Sequence, residues 1–255
     1  MSSTKIVLVT GGNSGIGYEA VKALLESDKG YHVLLGSRSL EKAKFAIETL
    51  HQECPEVTNT VEAVEVDLAS DESIEKAFDK VKASHGRVDA LIIAICRKNG
   101  VSLDSAFISG RISLRDCFTK AYDVNVAGTQ VLTWTFMPVL LKSADPRLIF
   151  VTGLSQINQA SEAYFPTPPQ PAGWPKHIDF ETIGYRCSKT ALNMLMLDWN
   201  HKLKEDGVKV WCVGPGFLAT KLGNVIGGKW LRSVVEGERD ADVGRIVNKD
   251  GIARF

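Results

Sequence analysis

The sequence predicts an α/β protein built as a doubly wound, mostly parallel sheet with helices on both faces. Three observations predict it. Short, nearly continuous apolar runs alternate with longer amphipathic stretches, the pattern of strands buried on both sides by covering helices. The first apolar run ends in a glycine cluster that opens a helix. No internal repeat and no long linker breaks the alternation, so residues 1–255 read as one domain.

The elements follow in order. KIVLVT (5–10) is a buried strand, and residues 15–26 are helical. HVLLG (32–36) is the second strand, followed by a helix over 40–52. VEAVEVD (61–67) is the third strand, and the helix after it runs from the Asp71 region to about Ser84. VDALIIAI (88–95) is the fourth strand, followed by one long helical stretch over 112–142. RLIFVT (147–152) and VKVWCV (208–213) are strands on either side of a helix over 184–205. Between 156 and 182 lies an insert whose segment YFPTPPQPAGWP cannot be helical, because proline lacks the amide donor and clashes with the preceding turn. Its aromatics Tyr164, Phe165 and Trp174 either wall an apolar pocket or pack the insert onto the body. The tail after Thr220 leaves room for a reduced substrate lid, and KDGIARF reads as a closing edge strand.

Composition narrows the function classes. With 44% hydrophobic and 24% charged residues the chain falls in the soluble globular range. Thirty basic and thirty acidic residues cancel, which offers nothing to a nucleic acid or an anionic membrane and little protection against self-association. No apolar run approaches the ~20 residues that cross a bilayer, and the N-terminus lacks a signal-peptide pattern. The five cysteines share no CxxC spacing, as expected of reduced thiols in a cytoplasmic protein.

The glycine cluster is Thr10-Gly11-Gly12-Asn13-Ser14-Gly15-Ile16-Gly17. Between a strand and a helix, such a turn lets backbone amides approach a pyrophosphate, and the helix N-terminus adds partial positive charge. Gly11, Asn13, Ser14, Ile16 and Gly17 are the candidate contacts. The end of the second strand selects the dinucleotide: a carboxylate there suits a ribose hydroxyl, an arginine suits a 2′-phosphate. Here Gly36-Ser37-Arg38-Ser39 contains no acid, so Ser37 and Arg38 predict NADP(H); an exposed arginine at a strand end is the plainer alternative. Asp67-Leu68 either meets an adenine or caps the next helix.

Tyr185 and Lys189 stand four apart, on one face of the helix over 184–205. Free tyrosine titrates near ~10. A neighbouring ammonium favours the phenolate, which would let the tyrosine exchange a proton with a substrate oxygen. Taken alone, the spacing is equally an accident of helical pattern.

TGxxxGIG from Thr10, Tyr185-x3-Lys189 and Pro215-Gly216-x3-Thr220 occur in that order, and with them the chain resembles the short-chain dehydrogenase/reductase family over essentially its whole length. The resemblance implies a Rossmann fold and an NADP-dependent oxidoreductase that reduces a ketone or aldehyde, or oxidises an alcohol. It implies that Tyr185 is the acid/base, that Lys189 lowers its pKa and binds the nicotinamide ribose, and that Asn125 holds a relay water. Asp67 and Leu68 would flank the adenine, and Pro215, Gly216, Leu218 and Thr220 would hold the nicotinamide. A serine after the fifth strand should bond the substrate oxygen. Without a gap that slot falls on Gly153; with a one-residue gap Ser155 or Thr152 fills it, and Ser155 is the choice. Ile93-Ala94-Ile95-Cys96 stands where family members read Asn-Asn-Ala-Gly, with Ala94 against the cofactor. The resemblance also implies a homodimer or homotetramer acting on a small molecule, with no nucleic-acid or membrane partner. Two other uses of the scaffold stay open: non-redox chemistry such as cyclisation, dehydration or epimerisation, and a silent NADP-binding role.

Overall fold

The structure is a computed structural model that describes residues 4–94, 103–164, 168–176, 182–216 and 221–255. Strands β1 (Lys5–Thr10), β2 (Tyr31–Ser37), β3 (Thr60–Glu65), β4 (Ala90–Ile93), β5 (Arg147–Val151), β6 (Lys209–Val213), β7 (Ile246–Asn248) and β8 (Gly251–Ala253) form one sheet. Their order is β3-β2-β1-β4-β5-β6-β7-β8, and every pairing is parallel except β7 with β8. The chain starts in the middle, winds outward to β3, returns through β4 and winds the other way. The doubly wound arrangement is therefore observed, and KDGIARF supplies the antiparallel edge.

The strand periodicity of two sorts side chains into two cores. Leu8, Leu34, Leu91, Leu148, Phe150 and Val210 face one side; Val7, Val9, Val33, Leu35, Ile92, Ile149 and Trp211 face the other. Helices α3 (Asp71–Ser84), α6 (Thr129–Leu140) and α8 (Ile183–Lys202) cover the first side with Ile74, Phe136, Leu192, Met196 and Trp199. Helices α1 (Gly15–Leu25), α2 (Leu40–Glu53) and α9 (Lys221–Glu236) cover the second with Ile16, Leu24, Leu50, Leu231 and Val234. At about 1.5–3 kcal/mol for each large apolar side chain buried, these two layers hold the fold together.

The segment expected to leave room for a lid is largely spent on α9, packed so tightly on α1 that a Cβ at Gly228 would overlap the backbone of Glu19. The expected long helix over 112–142 is divided. Helix α5 (Leu114–Tyr122) runs through a π-helical turn at Asp123–Gly128 into α6. Short helices α4 (Leu103–Ile108) and α7 (Ile157–Glu162) were not expected. At the amino ends of the strands, buried Arg147 and half-buried Lys209 share Asp145 and Asp240. Burial works against the Asp145 carboxylate, but hydrogen bonds from Lys209, Lys5 and Arg147 outweigh it and hold that carboxyl well below the ordinary range.

Gly128 closes the π-turn against the loop after β3: a Cβ there would overlap the Leu68 carbonyl. Gly128→Ala is expected to lower the unfolding free energy by about 3 kcal/mol, because either the helix or the Leu68 loop must retreat; chemical denaturation measures it. A change below about 0.5 kcal/mol would show that the close approach is absent.

Candidate active site

In a doubly wound sheet, ligands bind beyond the carboxyl ends of the strands. The glycine turn after β1, Ser37 and Arg38 after β2, Asp67 and Leu68 after β3, Ala94 after β4, Thr152–Ser155 after β5 and Pro215–Gly216 after β6 all emerge at that edge. Leu218 and Thr220 lie outside the described residues, as do Phe165, Ile95 and Cys96.

The glycine turn fits a dinucleotide phosphate on three counts. Gly11 and Gly15 take positive φ, 62° and 58°. A Cβ at Gly17 would stand 2.5 Å from the Gly11 carbonyl oxygen, so glycine alone lets α1 begin against the turn. The serine at the start of α1, Ser14, makes no side-chain cap, whereas Ser39, Ser70 and Ser113 cap α2, α3 and α5. The first amides of α1 are thus left for an anion. Beside them, Thr10 Oγ1 is buried with no hydrogen-bond partner among the described residues. Arg38 is exposed at the rim and Ser37 is buried beneath it, its hydroxyl accepting from the Ser39 amide at 3.3 Å. Asp67 accepts from the Ala69 amide at 3.1 Å, and Leu68 is buried.

Tyr185 and Lys189 lie one turn apart on α8, on the side facing β5. Lys189 is 1% exposed, and its Nζ donates to the Val151 carbonyl at 2.8 Å. The same ammonium lies 5.7 Å from the Tyr185 ring centroid. Asn125 sits in the π-turn, buried, and donates from Nδ2 to Ser188 Oγ at 2.9 Å; Ser188 in turn donates to the Tyr185 carbonyl at 2.7 Å. The π-turn that carries Asn125 is therefore fastened to the turn of α8 that carries the tyrosine. The fully buried Cys212 thiol behind Lys189 is pushed far up by burial, which keeps it neutral and unreactive.

The loop after β5 carries the three candidates Thr152, Gly153 and Ser155. A Cβ built on Gly153 would lie 3.6 Å from Tyr185 Oη, so Gly153 lies beside the phenol. Thr152 donates to Asn193 Oδ1 at 2.9 Å, and Ser155 Oγ lies 2.9 Å from Thr152 Oγ1 and 3.5 Å from Asn193 Oδ1. Both hydroxyls are buried in a network with Asn193 of α8. Between them Leu154 adopts φ 55°, a left-handed backbone that costs a leucine about 1–2 kcal/mol. Thr190 and Asn193, donating to the Ser155 carbonyl at 3.2 and 3.4 Å, hold the loop in that shape.

Sequence reasoning missed Asp104. This carboxylate, 1% exposed on α4, accepts from the Gly184 amide at 2.8 Å and the Tyr185 amide at 3.1 Å. It caps α8 from another element, and Gly184 leaves it room: a Cβ there would stand 3.1 Å from the carboxylate oxygen. The cap couples favourably to the helix dipole and fixes the backbone of Tyr185 itself. No local spacing announces it, because the capping group lies eighty residues away in sequence. The insert's Tyr164 lies under Arg186, its ring centroid 4.4 Å from the guanidinium carbon, while Trp174 is exposed. Tyr164 lines a groove of about 490 Å³ together with Leu154 and Ser155 of the loop after β5 and Arg186, Cys187, Thr190 and Met194 of α8.

Fold, glycine turn and Tyr–Lys pair define a dinucleotide-dependent oxidoreductase scaffold, and comparison with known proteins agrees. The short chain dehydrogenase family matches residues 5–164, and the chain belongs to it. The chain is 45% identical to the short-chain dehydrogenase/reductase tropE of Talaromyces stipitatus, covering 98% of this chain and 97% of that one. It is 39% identical to the short-chain dehydrogenase/reductase eupG of a Phoma species, over 92% and 91%. Among solved structures, the NADPH-bound carbonyl reductase from chicken fatty liver superposes over both whole chains with a TM-score of 0.74 at 21% identity. The carbonyl reductase Sniffer of D. melanogaster does so at 0.76 and 18%. At those identities the likeness is one of fold.

Asp104→Ala leaves two buried amides at the head of α8 unpaired. It is expected to cost about 2–3 kcal/mol in denaturant unfolding and to lower turnover, with Asp104→Asn, which keeps one acceptor oxygen of the two, recovering only part of the stability. Unchanged stability in the alanine variant would remove Asp104 from the support of Tyr185.

Proposed function

We propose that this protein is an NADPH-dependent reductase of a ketone or aldehyde, or the reverse alcohol dehydrogenase, with Tyr185 as general acid and base. The observation that carries the reading is the placement of Tyr185 beside buried Lys189, at the carboxyl edge of the sheet where the uncapped start of α1 also opens. Gly11, Asn13, Ser14, Ile16 and Gly17 would hold the pyrophosphate. Ser37 and Arg38 would hold the 2′-phosphate; Asp67, Leu68 and Ala94 the adenosine; and Pro215, Gly216, Leu218 and Thr220 the nicotinamide. When bound, the nicotinamide supplies or accepts hydride at the substrate carbon.

Everything else falls to the chain's own groups. Tyr185 Oη gives its proton to the carbonyl oxygen, which becomes the alcohol oxygen. The phenolate left behind is stabilised by the Lys189 ammonium in surroundings of low dielectric, where an opposite charge counts for more than in water. Lys189 donates to the Val151 carbonyl and would also serve the ribose and the proton path. Asn125 anchors that path through Ser188. Ser155, held with Thr152 on Asn193, acts in this reading by fixing the loop that presents Gly153 to the phenol. Self-association would use the outer faces of α5, α6 and α8. There Phe118, Tyr122, Val126 and Leu195 line an apolar groove, and Trp134 and Met194 are exposed at 68% and 66%.

A glycine at the phenol also favours a second reading, in which the scaffold carries non-redox chemistry and the cofactor is recycled. NADPH absorbance against a panel of ketones and aldehydes separates the two: steady NADPH loss matched by alcohol supports reduction, and product formed without net loss supports the second. Tyr185→Phe is expected to lower turnover by about 10²–10⁴-fold with NADPH affinity unchanged, measured by fluorescence titration. Turnover within threefold of the parent would refute the assigned role.

A further inference from the structure

The five histidines of the chain include two that converge far from the active site. His32 is the second residue of β2, Glu62 is the third residue of β3, and His85 ends α3. The strands run parallel, so this cluster lies toward their amino ends, at the β3 edge of the sheet, opposite the edge that carries the glycine turn and Tyr185. His85 Nε2 stands 3.0 Å from Glu62 Oε1, and His32 Nε2 stands 3.9 Å from Glu62 Oε2. One donor atom from each of the three residues lies within 4.8 Å of the other two. The imidazole rings are tilted at 42° with centroids 5.0 Å apart, neither stacked nor turned away.

Two details separate this cluster from an ordinary hydrogen-bonded pair. His32 Nε2 is shielded from solvent and has no hydrogen-bond partner among the described residues, although it points toward a carboxylate. Its other ring nitrogen, Nδ1, is 2.7 Å from Thr60 Oγ1. With Nδ1–H donating to that hydroxyl, Nε2 carries a lone pair facing a carboxylate, an arrangement that asks for a cation between them. An outer hydrogen bond that fixes ring orientation and tautomer is also what metal-ligating histidines use.

We propose that His32 Nε2, His85 Nε2 and a Glu62 carboxylate oxygen form a divalent-metal site, with zinc the best chemical fit and water completing the tetrahedron. Two imidazoles and a carboxylate are ligands that zinc accepts, at about 2.0–2.2 Å each, which sets the ligand atoms about 3.4 Å apart. The observed spacings bracket that figure, so small rotations of half-buried Glu62 and His85 close the site. A metal there ties edge strand β3 to β2 and to the end of α3. It takes no part in the chemistry of Tyr185.

The test is zinc chloride titrated calorimetrically into the untagged full chain, with Co²⁺ as an optical probe. Expected is one saturable site per chain, weakened at least ~10-fold in Glu62→Gln and in His85→Gln and unchanged in His51→Gln. At zinc about 100-fold above its Kd the melting temperature should rise by about 5–10 °C in the parent and not in the two variants. Circular dichroism confirms that the variants are folded. Absence of saturable binding below about 100 μM zinc, or equal affinity in folded His85→Gln, overturns the proposal.

Discussion

The hydrogen bond from Lys189 Nζ to the Val151 carbonyl is the contact on which the arrangement of the site depends. An ammonium taken out of water is costly unless it is bonded, and this one is 1% exposed. The bond fixes how α8 is rotated against the end of β5, and the face so presented contains Tyr185 one turn earlier. The amino end of the same helix is pinned by Asp104, which is just as deeply buried. With two buried charged groups holding its first turns, α8 has one seat on the sheet, and the tyrosine is positioned by the body rather than by a loop.

From that seat the constraint passes on through contacts that each leave little freedom. The Tyr185 carbonyl receives Ser188, Ser188 receives Asn125, and Asn125 lies in a π-turn whose last residue, Gly128, closes on the Leu68 loop. On the other side Thr190 and Asn193 hold the loop that carries Gly153 and strained Leu154. The proposed adenine end, the proton path and the wall opposite the phenol are thus joined to one helix. The two apolar cores supply most of the stability and set the layers; these polar contacts set the register of the site within them.

Much of this was legible in the sequence. Alternation of apolar runs and amphipathic stretches placed the strands from 5–10 through 208–213, because a strand buried on both faces has no alternative composition. The glycine turn and the Tyr–Lys spacing were readable because each is a local requirement. The division of the 112–142 helix at Asn125 was not, since the bond from Asn125 to Ser188 and the close approach of Gly128 to Leu68 are made with distant parts of the chain. Asp104 was invisible for the same reason: a cap supplied from eighty residues away leaves no mark in spacing. The loop after β5 offered three neighbouring candidates, Thr152, Gly153 and Ser155. Only packing against Asn193 shows where each points. The tail suggested a lid because its glycines and charges disguise α9, whose apolar face has meaning only against α1.

The central claim is that Gly153 lies beside the Tyr185 phenol while Ser155 and Thr152 serve the frame behind it. Comparing kcat and KM of Ser155→Ala and Gly153→Ser with the parent, on one carbonyl substrate, tests it most directly. The account predicts that folded Ser155→Ala keeps kcat within about tenfold of the parent, and that Gly153→Ser, which places a hydroxyl beside the phenol, changes kcat more than KM. If folded Ser155→Ala loses as much turnover as Tyr185→Phe while Gly153→Ser behaves as the parent, Ser155 touches the substrate and the claim is wrong.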